Sequence, residues 1–153
     1  MKKLLSMLFA VVASASVIFS ASPVKVSLWE KIAFPKDDSI NGLEVGLGSY
    51  TPEVKGLAWN LIYTKTDDCL GYQHAWLITF TEIFKGLQTG IINLNSGEIK
   101  GIQKGFFNKA VSIKGLQVGF INVAENMEGV QFGFINFIKT GPIPVMIIVN
   151  AKF

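Results

Sequence analysis

The chain reads as an all-β protein, and three observations carry that expectation. A motif recurs every 14–15 residues, apolar and polar residues alternate within each copy, and glycines fall four apart among β-branched and aromatic neighbours. The last pattern opposes a helix and suits strands. The clearest copies are Gly86, Gln88, Gly90 and Asn93; Gly101, Gln103, Gly105 and Asn108; Gly115, Gln117, Gly119 and Asn122; and Gly129, Gln131, Gly133 and Asn136. Each spells G-apolar-Q-x-G-apolar-apolar-N, and successive copies start 15, 14 and 14 residues apart. A fixed period sets the architecture before any residue is given a role. The beat continues in degraded form back through Gly71, Gly56 and Gly42, and forward to Asn150, 14 residues after Asn136. With the terminal segment 145–153, this makes eight units.

Ahead of the repeat, Lys2 and Lys3 precede an apolar run over residues 4–19, and small residues cluster at Ser20-Ala21-Ser22. This is the layout of a secretory signal peptide over residues 1–22, with cleavage expected between residues 16 and 24. A membrane anchor fits less well, because Ala13-Ser14-Ala15-Ser16 leaves the run weakly apolar for a span of ~20 residues. Residues 23–41 do not follow the repeat. Residues 24–34 are expected to form a strand or a plug-like arm outside it, and Pro35-Lys36-Asp37-Asp38-Ser39 a turn. Residues 42–153 form one β-repeat domain, with turns expected at Ser49-Tyr50-Thr51-Pro52, Thr66-Asp67-Asp68, Asn95-Ser96-Gly97-Glu98, Glu125-Asn126-Met127-Glu128 and Lys139-Thr140-Gly141-Pro142.

Within a unit the residues sort by polarity once one correction is made. In the copy beginning at Gly115, Leu116, Val118 and Phe120 alternate with Gly115, Gln117 and Gly119. Strict alternation would then place Asn122 on the apolar face. A bulge or bend at the doublet Phe120-Ile121 shifts the phase by one residue. Leu116, Val118, the doublet and Val123 then share one face, and Gly115, Gln117, Gly119, Asn122 and Ala124 the other. Ile91-Ile92, Phe106-Phe107 and Phe134-Ile135 hold the same place in their units, and Lys104 is the one charged residue at its position.

Charge and chemistry exclude several function classes. Removing Lys2 and Lys3 from the 14 basic residues leaves 12 against 11 acidic ones, scattered along the chain, so no basic face for nucleic acid is expected. Cys69 is the only cysteine and His74 the only histidine. Cys69-x4-His74 beside Asp67 and Asp68 falls short of the three or four regularly spaced ligands of a zinc site. The carboxylate pairs Asp67/Asp68 and Asp37/Asp38 sit in expected turns, and the repeat lacks the Lys-Ser/Thr pair of a phosphate loop. Pairing Ser96 or Ser112 with His74 has no support in the spacing. No catalytic residue, cofactor or metal is expected, and the protein is expected not to be an enzyme.

Two architectures fit the period, and they give the two faces opposite meanings. The preferred expectation is an antiparallel meander closed as a small, about eight-stranded outer-membrane-type β-barrel. A membrane-crossing strand needs ~9–11 residues, which leaves a short turn in each unit. The Leu/Val/Phe face would meet outer-membrane lipid, and the Gly/Gln/Asn face would fill the lumen. The alternative is a β-solenoid with 14–15-residue coils. There the apolar face would form the inner core, and Gln and Asn ladders would offer an outer surface for a partner.

The last strand ends on alternate apolar residues and Phe153, which resembles the C-terminal signal of outer-membrane barrels and marks Phe153 as a candidate assembly signal. That resemblance implies the barrel-assembly machinery as a partner. The tandem G-L-Q-x-G-x-x-N units, closed by Pro144-Val145-Met146-Ile147-Ile148-Val149-Asn150, resemble the exported surface-repeat proteins of bacteria with two membranes. The resemblance implies export to the outer membrane or cell surface, a structural or interaction role, and no enzymatic residue. The first units depart from it. Glu44 and Ala58 stand where later copies carry Gln, and only Gln73 matches.

Overall fold

The computed structural model describes residues 21–30 and 32–153, so the expected leader lies outside it except for its last two residues. The described chain is all β. Its strands are β1 (Ser22–Trp29), β2 (Ile32–Phe34), β3 (Ser39–Tyr50), β4 (Glu53–Ala75), β5 (Ile78–Thr89), β6 (Ile92–Asn95), β7 (Glu98–Lys104), β8 (Phe107–Val118), β9 (Ile121–Ile138) and β10 (Val145–Lys152).

Successive copies of the repeat lie side by side and run parallel. Gly42 pairs with Gly56, Gly71 with Gly86, Gly86 with Gly101, Gly101 with Gly115, and Gly115 with Gly129. The chain therefore winds as a β-solenoid of 14–15-residue coils. This overturns the antiparallel barrel. Asn122, which a meander would place opposite Gly129, instead donates from its amide to Asn136 at 2.8 Å. The reason lies in the amides. A Gln or Asn side chain bonds to a copy of itself in the next strand only when copies stack parallel and in register; in a meander, unlike residues would meet.

Strand lengths follow from the winding. β4, at 23 residues, and β9, at 18, each exceed one coil and pass through a corner without leaving the ladder. Thr66-Asp67-Asp68 and Glu125-Asn126-Met127-Glu128, expected as reversals, are therefore continuous strand, because the chain only rounds a coil there. The strands do break around Thr51-Pro52, at Ser96-Gly97 and from Lys139 to Pro144.

The phase correction at the apolar doublets is present. β8 and β9 are separated by a bend at Gly119-Phe120, after which Asn122 and Ala124 are buried, as Gln117 is before it. The interior combines an apolar column with amides. Ile40 pairs with Val54, and Cys69, Phe84, Ile99, Ile113 and Met127 continue the same inner line, each paired to the next. Ala110, Ala124 and Ile138 belong to the same buried apolar cluster. The rest of the interior is filled by polar side chains, Gln and Asn in the regular coils and Ser, Thr and Glu44 beside them, so the apolar-core form of the solenoid is also corrected: the Leu/Ile/Phe residues of the motif point outward.

Both ends depart from the coil. Within the expected arm, residues 24–29 and 32–34 are strand: β1 pairs parallel with β3 and antiparallel with the short β2. At the other end β10 turns back and pairs antiparallel with β9, setting Asn150 opposite Gln131.

Candidate interaction face

The motif residues build the inside of the coil, and each has a distinct task. Gly115 has φ +141°, and a Cβ there would stand 2.0 Å from the carbonyl oxygen of Gly101 in the coil beside it. Only glycine turns this corner while its neighbour stays at ladder distance. Two residues on, Gln131, Gln117, Gln103, Gln88 and Gln73 form a ladder in which each Nε2 donates to the preceding Oε1, at 2.7–3.0 Å. The asparagines form a second ladder of opposite sense. Asn93, Asn108 and Asn122 each donate to the next Oδ1 at 2.8 Å. The remaining Nδ2 proton of Asn108 and of Asn122 caps the carbonyl of Val118 or Phe132 in the following coil. The second glycine of the motif makes room for that amide: a Cβ on Gly119 would stand 2.4 Å from Asn108 Nδ2. These amides are fully buried and almost completely paired, which is what a low-dielectric interior demands. The exception is Gln131 Oε1, which ends its ladder with no partner among the described residues. The Gln and Asn side chains are committed to these buried ladders, so the Gln/Asn face is not available to a partner.

Between its two glycines and along the bend that follows, each coil turns mostly apolar residues outward. One line runs through Leu87, Ile102, Leu116 and Val130, and a second through Thr89, Lys104, Val118 and Phe132. A third joins Trp76, Ile91, Phe106, Phe120 and Phe134 along the bend after the second glycine. The rings of Phe106, Phe120 and Phe134 stack at 5.0 Å between centroids, within 10° of coplanar. Ile102 is 41% exposed and Phe106 57%, so these side chains contact their neighbours along each line while keeping a free outer surface. No acidic residue occurs in the three lines, and Lys104 is the one cation in this stretch.

Beyond the glycine corner a row of exposed lysines flanks this wall. Lys85 pairs with Lys100, and Lys100 with Lys114, in adjacent rungs. Lys100 meets Glu98 at 3.3 Å and Lys114 meets Glu128 at 2.8 Å. Both are exposed pairs of small worth. Lys85 and Lys104 have no ion pair among the described residues. Glu128 continues the row beside Lys114, so the end of this rim left open to a counter-anion is Lys85.

Earlier in the chain the wall carries aromatics. Trp59 stacks on His74 at 5.9 Å, Tyr72 lies parallel to the same imidazole at 6.1 Å, and His74 Nδ1 bonds Thr89 Oγ1 at 2.7 Å. Burial holds the imidazole below its ordinary pKa. Cys69, five residues away in sequence, points to the inside instead. Its thiol is pushed up to about 12, first by burial and then by the charges of Glu44 and Asp68. Cys69 and His74 therefore do not meet. Phe153 follows β10 and is 92% exposed.

The sequence did not reveal the buried network that replaces the Gln ladder in the first coils. Glu44 accepts hydrogen bonds from the Ser49 and Thr51 hydroxyls and, at 3.0 Å, from the Asn60 amide. Lys25, reaching in from β1, donates to Thr51 Oγ1 at 2.7 Å. Burial lowers the Lys25 pKa, while Glu44, Asp38 and Asp37 pull it back up. The available signal was Glu44 itself, an acid at a Gln position.

No protein family, curated protein or solved structure matches the chain. The function must therefore be argued from this geometry.

Proposed function

We propose that this is an exported, non-enzymatic envelope protein that lies on a lipid surface through its apolar wall. The supporting observation is the wall itself: three adjacent outward lines, apolar or aromatic at nearly every position, free of acidic residues and rimmed by Lys85, Lys100 and Lys114. A contiguous apolar surface larger than a few hundred Å² marks a protein or membrane contact. The charges favour lipid. Lys104 in the middle of the wall would be buried without a counter-ion against a second wall, whereas at a lipid surface it reaches the head groups. Anionic head groups also neutralise Lys85, the rim lysine without an ion pair among the described residues, at about 1 kcal/mol near the surface. Export and an envelope location draw further support from the Lys2-Lys3 leader pattern and from the resemblance to exported surface-repeat proteins.

Vesicle flotation tests this. The protein should rise with phosphatidylcholine vesicles containing phosphatidylglycerol, and less with phosphatidylcholine alone. Replacing Phe106, Phe120 and Phe134 together by Ser should leave it at the bottom of the gradient. If the wild-type chain stays at the bottom with both vesicle types, the wall faces something other than lipid.

A further inference from the structure

The two ends of the sheet differ in how they are guarded. At the first end, β2 has only three residues and runs into Pro35, Lys36, Asp37 and Asp38. A short edge strand followed by proline and charge is how proteins keep a sheet from pairing further. At the other end β10 has eight residues, and no charge occurs from Gly141 to Ala151. One edge of β10 bonds to β9, and the other pairs with no strand among the described residues. Residues 145–149 are all exposed and apolar, with Ile147 at 65% and Ile148 at 69%. The register on β9 skips from Met146 to Ile148, leaving Ile147 without a partner there.

We infer that β10 pairs with β10 of a second copy of this chain. Identical strands pair antiparallel about a two-fold axis, so the contact is self-complementary and closed. The guarded β2 end then stops growth at two, and no fibre forms. The uncharged strand carries nothing to select a charged partner, whereas a second copy sets the five apolar side chains of residues 145–149 in each strand beside those of the other. Two such edges with their side chains bury of the order of 1,000 Å² in total, the lower bound of a specific interface, so association belongs in the micromolar range. The axis of an antiparallel pair stands normal to the sheet. Both walls therefore face the same side. The inference holds whether or not the wall meets lipid.

Light scattering on the full chain tests it. At 100 µM (roughly 100 times a micromolar Kd) the mass should be twice the 16.7 kDa of one chain. Ile147→Lys should halve that mass with the far-ultraviolet spectrum unchanged, and Phe120→Glu should leave it doubled. Single cysteines scanned through residues 146–149 provide a readout that does not depend on disrupting the edge. One position at or near the axis should oxidise to a covalent dimer, while buried Cys69 stays unreacted. A monomeric wild type, a dimer that Phe120→Glu dissociates but Ile147→Lys does not, or a scan in which no position crosslinks would each overturn the inference.

Discussion

Ile102 and Gln103 are neighbours whose roles invert ordinary expectation, and exchanging their polarity one at a time tests the assignment of inside and outside. Gln103 donates to Gln88 Oε1 at 3.0 Å and accepts from Gln117 Nε2 at 2.7 Å, all three side chains being fully buried. Gln103→Leu breaks both bonds and leaves Gln88 Oε1 without its donor, while Gln117 Nε2 keeps only the long 3.4 Å contact to Val123 O. An orphaned buried polar atom costs about 1–3 kcal/mol. The two affected atoms together lose about 2–6 kcal/mol and the added apolar burial returns about 1 kcal/mol, so a net loss of roughly 1–5 kcal/mol is expected, against a typical stability of about 5–15 kcal/mol. Ile102→Gln acts on a side chain already 41% exposed. Its cost should not exceed about 1 kcal/mol. Urea unfolding followed by circular dichroism measures both, with equal slopes confirming that the same surface is exposed. If the Ile102 variant is the less stable of the two, the apolar residues are inside and the assignment is refuted.

Three further outcomes are expected. Gly115→Ala should cost at least about 3 kcal/mol by the same measurement, since it adds a positive-φ penalty to a Cβ 2.0 Å from the Gly101 carbonyl; Gly141→Ala, whose nearest neighbour would be 3.2 Å away, should cost under about 1 kcal/mol. Asn150→Gln should raise the unfolding midpoint by an amount worth about 1 kcal/mol, because the longer amide reaches toward the unpaired Gln131 Oε1 opposite it; an unchanged or lower midpoint would show that the orphan is not relieved this way. His74 sets a pH dependence. Its folded pKa is depressed, so on acidification the unfolded chain takes the proton first; the stability contributed by the neutral ring is present above ~6.5 and declines as pH falls toward the folded value. The wild type should therefore lose more stability than His74→Gln between pH 8 and pH 5, and parallel losses would exclude the ring as the cause.

The composition of the faces was legible in the sequence, but the direction of pairing was not. Apolar alternation with a shift at the Phe120-Ile121 doublet separates Gln117, Asn122 and Ala124 from Leu116, Val118 and Val123 correctly, because burial tracks local backbone geometry. A 14-residue period with two sorted faces fits a barrel with amides in its lumen or a coil with an apolar core, and the observed coil joins the parallel pairing of the second to the inward amides of the first. The deciding feature is the identity of the amide at each rung. Identical hydrogen-bonding side chains repeated in register satisfy one another only between parallel copies, and that argument could have been made from Gln103 and Gln117 alone. Glu44 was opaque for a different reason. Its partners come from the end of its own strand (Ser49), the break after it (Thr51) and the neighbouring coil (Asn60), a set that no repeat position marks.

The opposed sense of the two amide ladders bears on how such a chain can lengthen. Every Gln rung adds a dipole pointing one way along the solenoid, and every Asn rung adds one pointing the other. A column of one kind alone would accumulate a field with each added turn and make long solenoids progressively costlier at their ends. With the two side by side, an inserted copy of residues 101–114 is nearly neutral in this respect and extends the molecule by one strand spacing of ~4.8 Å. Duplication of single coils is thereby an inexpensive evolutionary step, and the length of the solenoid falls to its terminal strands to decide.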